Sequence, residues 1–89
     1  MNKATDPILE LLDESGLALP PKAILVNLQR MMEDAPSRPT VFRALDELED
    51  HGYIETHPIS GTYYVITDRG RDYIRGELDA SDLEHPDGD

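Results

Sequence analysis

Two arginines, Arg38 and Arg43, bracket Pro39, Thr40 and Phe42 in the stretch SRPTVFRAL at residues 37–45. A guanidinium holds its charge at any ordinary pH and presents a planar fork of donors, which fits phosphate oxygens or two acceptors on one base edge. Ser37 and Thr40 add hydroxyls, and Phe42 adds an aromatic face. Within two helical turns this set suits a nucleic acid. Arg43 could make a bidentate contact to guanine, worth ~1–3 kcal/mol of discrimination. Arg38 and the Ser37–Thr40 turn could hold phosphates and set register, and Phe42 could touch a thymine methyl. The plain alternatives stand beside this reading. Phe42 can instead cap the core against the first or last helix, and both arginines can be ordinary exposed side chains.

The overall charge argues the other way. The 89 residues carry 8 basic and 19 acidic side chains, a net charge of −11, whereas DNA is a polyanion. Six of the acids fall in residues 77–89, where there is no Lys or Arg. Only Lys3 and Lys22 are lysines, against six arginines. Many acids with few lysines look like the surface of a protein from a high-salt cytoplasm; the alternative is the solvated acidic surface of a mesophile. Without Cys, disulfides and Cys-based zinc sites are excluded, so stability must come from apolar packing. No apolar run approaches a membrane span, and MNKATDP lacks the apolar core of a signal peptide, so a soluble cytoplasmic protein is expected.

Short-range signals set out the elements that must carry these side chains. Asp6-Pro7 reads as a helix start, with Asp6 as N-cap, and Ser15-Gly16 as its end. Leu17-Ala18-Leu19 is enough for a strand stub before Pro20-Pro21 opens a second helix. That helix has a core stripe of Ile24, Leu28, Met31 and Met32, with Leu25 beside it. A polar break at 33–36 precedes a third helix over about 37–51. Ser37 is its expected cap, and Val41, Ala44, Leu45 and Leu48 are its buried stripe. Gly52 supplies a left-handed end. The period then becomes two: residues 53–56 and 62–66 read as strands around a turn-forming tip, HPISG. Thr67-Asp68 starts a last helix with Tyr73, Ile74 and Leu78 as its apolar positions. The order is helix, stub, helix, helix, strand, tip, strand, helix: mainly α with a small β-hairpin wing, an α+β winged helix-turn-helix. Residues 1–79 form its DNA-binding domain, and 80–89 are expected to be an acidic, disordered tail. Such folds place the third helix in the major groove.

SRPTVFRALDELEDHGYIE followed by GTYYVITDRGRDYI resembles the core of winged-helix transcriptional regulators of the PadR and MarR type. ILELLDESGLALPPKAILVNL and YIRGELDASDL extend the likeness, from about Asp6 to Leu83, to haloarchaeal phage phi-H repressor-like proteins. The resemblance implies a DNA-binding regulator, in the narrower case a repressor, from a high-salt cytoplasm. It names no operator.

Within the third helix the charges form a gradient. Arg38, Thr40, Phe42 and Arg43 occupy the first two turns, and Asp46, Glu47, Glu49 and Asp50 the later ones. Acids facing phosphates are repelled, so this helix would insert by its N-terminal end, where the dipole and the unpaired N–H groups favour anions. Lys22, at the start of the second helix, is a further phosphate contact. The wing offers His57, Ser60, Gly61 and Thr62 but no Lys or Arg, so it either touches phosphates through small groups or is purely structural. The rival function is a winged helix used for protein contact or dimerisation without DNA. An acid-poor face holding Lys22, Arg38 and Arg43 would favour DNA; an exposed apolar patch would favour protein. A homodimer through Ile8, Leu9 and Leu12 of the first helix and Tyr73, Ile74 and Leu78 of the last is expected, because these exceed what a small core needs. His51, His57 and His85 are too dispersed for catalysis, though His51, His57 and Glu55 could converge on a metal. No cofactor motif is present, and no enzymatic role is expected.

Overall fold

A computed structural model describes residues 3–58 and 60–84, with side chains described as far as residue 76. Four helices and one hairpin follow in the order α1 (Thr5–Ser15), α2 (Pro21–Met31), α3 (Arg38–Asp50), β1 (Ile54–Pro58), β2 (Thr62–Ile66) and α4 (Asp68–Glu84). β1 and β2 pair antiparallel, with Ile54 opposite Ile66 and Pro58 opposite Thr62. Helix, helix and hairpin wing in this arrangement make a winged helix-turn-helix.

The expected third strand is a single bridge. Leu19 exchanges two backbone hydrogen bonds with Tyr64, at 3.0 and 2.8 Å. The ladder stops there because Pro20 has no N–H to donate and Pro21 already begins α2. The start of α1 also differs from the sequence expectation. Ala4, not Asp6, is the N-cap residue, so Asp6-Pro7 falls inside the first turn, where the missing N–H of Pro7 costs nothing. The boundary drawn between residues 79 and 80 falls inside α4, which runs to Glu84, and residues 85–89 lie outside the described residues.

α1 supplies the centre of the core. Ile8, Leu9 and Leu12 have no exposed surface, and the helix packs against α2, α3, α4 and β2. Ile24 and Leu28 of α2, the α3 stripe of Val41, Ala44, Leu45 and Leu48, Ile54, Ile66 and Ile74 close around them. Met31 and Met32 depart from the α2 stripe. Met31 is half exposed, and Met32 stands at the C-cap in extended backbone, only partly buried.

The end of α3 fixes where the hairpin begins. Gly52 adopts φ 76°, its N–H donates to the Glu49 carbonyl, and the Tyr53 N–H donates to the Leu48 carbonyl. This pair of bonds is a Schellman ending, which needs a residue that tolerates positive φ. The same corner anchors α4. The Thr67 hydroxyl caps it by accepting the Gly70 N–H and in turn donates to the Gly52 carbonyl at 2.6 Å. Gly70 packs directly on the Tyr53 carbonyl. Tyr53 stacks on Tyr73 with ring centroids 4.7 Å apart, and the Arg69 guanidinium lies 5.6 Å from the Tyr53 ring centre.

Candidate nucleic-acid interface

Chain order separates the basic residues of interest, and the fold gathers part of them. α3 opens at Ser37, whose extended backbone (φ −69°, ψ 163°) turns the chain into the helix and whose carbonyl accepts the Val41 N–H. Its hydroxyl does not cap a backbone N–H, as the sequence suggested, but lies 3.0 Å from the Thr40 hydroxyl. Pro39 sits in the first turn, and Arg38 and Phe42 come four residues apart on one side of the helix. The Arg38 guanidinium lies over the Phe42 ring, 5.5 Å from its centre. The pairing holds an exposed cation close to an aromatic side chain that is itself 38% exposed.

That side of α3 borders a depression of about 610 Å³. Lys22, Leu25 and Val26 come from α2, Arg38 and Phe42 from α3, and Thr62 from the start of β2, with Pro20 and Pro21 completing the lining. Candidates from three elements (Lys22, Arg38, Phe42 and Thr62) therefore share one surface, and among the described residues no carboxylate lines it. Among the described residues, no carboxylate lies within 4.0 Å of Lys22, Arg30, Arg38 or Arg43. Residues 16–45 hold four bases and only two acids, Glu33 and Asp34, while the remainder of the chain holds four bases and seventeen acids. The acid-poor face is thus a property of α2 and the first turns of α3.

The other candidates fall elsewhere. Arg43 is exposed but does not line this depression; at ~100° per residue it projects away from Phe42. His57 and Ser60 line a different hollow, with Gly16, Ala18, Tyr63 and Val65, so the wing tip divides between two surfaces. Gly61 is exposed at φ 136°, with nothing near where a Cβ would stand. The acids of the later α3 turns bear on the hairpin. The Tyr64 hydroxyl is pushed above its ordinary pKa first by burial, then by the charges of Glu49 and Asp46. Among the described residues, no three His, Cys, Asp or Glu side chains converge to hold a metal. The His51, His57 and Glu55 grouping is therefore not formed; the His51 ring instead lies 2.8 Å from the Glu47 carbonyl.

The fold has a solved counterpart. The chain superposes on the complex structure of hsRosR-S4 with a TM-score of 0.79, at 22% sequence identity, over 91% of this chain and 70% of that one. The two share a fold. No family model matches the chain, and no curated protein matches it. Among the described residues, no helix is long and apolar enough to cross a membrane.

The apolar excess that suggested a second chain is accounted for within one. Ile8, Leu9 and Leu12 are fully buried, Ile74 is 4% exposed, and Tyr73 is half-buried on Tyr53, so these side chains offer little surface to a partner. The side chain of Leu78 lies outside the described residues. Sequence reading missed Val26 and Arg30 as surface groups, and missed that Leu25, partly buried against the core, also lines the depression. Val26 is 46% exposed although it stands among core-type residues. Its helical offset from Ile24 and Leu28, about 200° from each, was the available signal.

Proposed function

We propose that the chain is a sequence-specific DNA-binding transcriptional regulator, a repressor of the winged-helix type resembling the PadR and phage phi-H groups. α3 inserts into the major groove by its N-terminal turns. The observation that carries this reading is the shared, carboxylate-free surface of Lys22, Arg38, Phe42 and Thr62. Lys22 and Arg38 are assigned to phosphates, Arg43 to a guanine edge, and Thr62 to the adjacent backbone. The acids from Asp46 onward stay outside the groove. A two-fold dimer would present two such helices to a palindromic site, and its mass in molar KCl, by light scattering, tests that part.

Net charge opposes association only while it is felt at range. At molar salt the Debye length is about 3 Å, so contacting groups decide affinity and counterion release contributes little. Binding-site selection from random DNA in molar KCl should therefore enrich a motif containing guanine. An Arg38→Ala, Arg43→Ala double variant should bind the selected duplex at least ~30-fold more weakly, the loss of one bidentate and one phosphate contact. Affinity should hold or rise as KCl approaches molar.

Protein contact remains the second reading, because Phe42, Val26 and Leu17 are exposed apolar side chains. Failure of the wild type to enrich any site would favour it.

A further inference from the structure

The lining of the α2–α3 depression is chemically one-sided. Lys22 and Arg38 donate only, Leu25, Val26 and Phe42 are apolar, and the Thr62 hydroxyl is the sole side-chain acceptor among the described lining residues. A ligand that suits it presents acceptors and apolar surface but few donors. A polypeptide, with an N–H at nearly every residue, fits poorly. A phosphodiester with a 2′-deoxy sugar fits well: its charged oxygens accept, and its C2′ is a bare methylene.

We infer that this cradle holds the sugar–phosphate backbone of one DNA strand and selects deoxyribose over ribose. This rests on the DNA-binding reading above and extends it to the sugar. Flanking phosphates meet Lys22 and Arg38, while one deoxyribose lies against Leu25, Val26 and Phe42. Ribose would bring its 2′-hydroxyl, both donor and acceptor, against side chains that cannot replace the water it loses. Val26 and Phe42, 46% and 38% exposed in the free chain, then gain cover. Val26 becomes a specificity-determining residue.

The experiment uses the duplex recovered by selection. A single ribonucleotide is placed at each backbone position in turn, and affinity is measured in molar KCl. A matched series with 2′-fluoro nucleotides reproduces the ribose pucker without the hydroxyl. One or two adjacent positions on one strand of each site should bind about tenfold more weakly with ribose and change less than about twofold with 2′-fluoro. Val26→Thr, which offers the 2′-hydroxyl a partner at a surface position, should narrow the ratio between the all-deoxy and ribose-bearing duplexes. If every ribose position binds within about twofold of the all-deoxy duplex, the inference is overturned while the DNA-binding reading stands. Equal weakening by 2′-fluoro overturns it as well, since pucker alone would then be read. An unchanged ratio in Val26→Thr overturns the assignment to Val26. Absence of binding by any duplex overturns both readings.

Discussion

The arginines of α3 and two of the three in α4 live in opposite surroundings. Arg71 and Arg75 both reach the Asp13 carboxylate of α1, at 3.5 and 3.4 Å, and Arg71 also reaches Asp68 at 3.3 Å. Arg69 lies over Tyr53. Arg38 rests on Phe42, and Arg43 has no carboxylate within 4.0 Å among the described residues. Although the chain has more than two acids for every base, only Arg71 and Arg75 among the described arginines have a carboxylate within 4.0 Å. The contrast separates cations that join helices from cations the fold does not use. Of the second kind, Arg38 lies on a surface shaped to receive something.

The sharpest way to break this division is to damage the joining side alone. A Cβ on Gly70 would overlap the Tyr53 carbonyl and come within 2.8 Å of Ile66. The obstacle is backbone, which cannot rotate aside. Alanine's helix preference, worth about 1 kcal/mol over glycine, does not offset overpacking of this kind. Gly70→Ala should therefore destabilise the chain by about 2 kcal/mol, measured by denaturant unfolding in molar KCl. Arg38→Ala with Arg43→Ala should cost less than about 1 kcal/mol by the same measurement, although it abolishes most of the proposed binding. If the α3 arginines cost as much stability as Gly70→Ala, they are structural after all and the contrast fails.

Asp13→Ala makes a smaller cut. It removes the shared acceptor of Arg71 and Arg75 and so leaves Arg75 as unneutralised as the arginines of α3, while Arg71 keeps Asp68. Both arginines are more than a third exposed, so solvent screening limits the loss to about 0.5–1 kcal/mol in low salt, and less in molar KCl. DNA affinity should stay within about threefold of the wild type, because freeing cations on α4 does not create an acid-free cradle. A large gain in affinity would show that charge alone, wherever it sits, governs binding.

What the sequence disclosed follows the range of the forces involved. The α3 stripe, the Gly52 ending, both hairpin strands and the Thr67 cap were legible because each depends on residues within a turn or a pleat of one another. Asp6-Pro7 misled at α1 because a good local start cannot reveal that the helix begins earlier, with Thr5 buried beneath it. Ser37 was found at the right position with the wrong partner, since Thr40 competes for its hydroxyl. The double apolar face of α1 was read as a contact for a second chain, when packing against four elements of the same chain requires it. The cradle was half legible. Lys22, Arg38 and Thr62 were each singled out, but nothing local says that positions so far apart share a surface while His57 and Ser60 turn to another.

The smallest expected effect concerns what charge segregation costs on the other side. α1 carries Asp6, Glu10 and Glu14 at intervals of four, which stacks three carboxylates on one face. Glu10 is held above its ordinary carboxylate pKa of 4.5, first by partial burial and then by the charges of Asp6 and Glu14. The folded chain therefore binds this proton more tightly than the unfolded chain does. The group is neutral in both states at low pH and lowers folded-state stability as pH rises from about the ordinary value through the raised one. Glu10→Gln removes that loss. It should stabilise the chain by about 0.3 kcal/mol at neutral pH and low ionic strength, by nothing measurable at acid pH, where Glu10 is already protonated, and by a smaller amount in molar KCl, where the repulsion is screened but the burial is not. Denaturant unfolding across pH and KCl reads all three conditions. A gain undiminished in molar KCl would assign the raised pKa to burial alone. The crowding of acids on α1 would then be no counterpart to their absence from the face of α2 and α3.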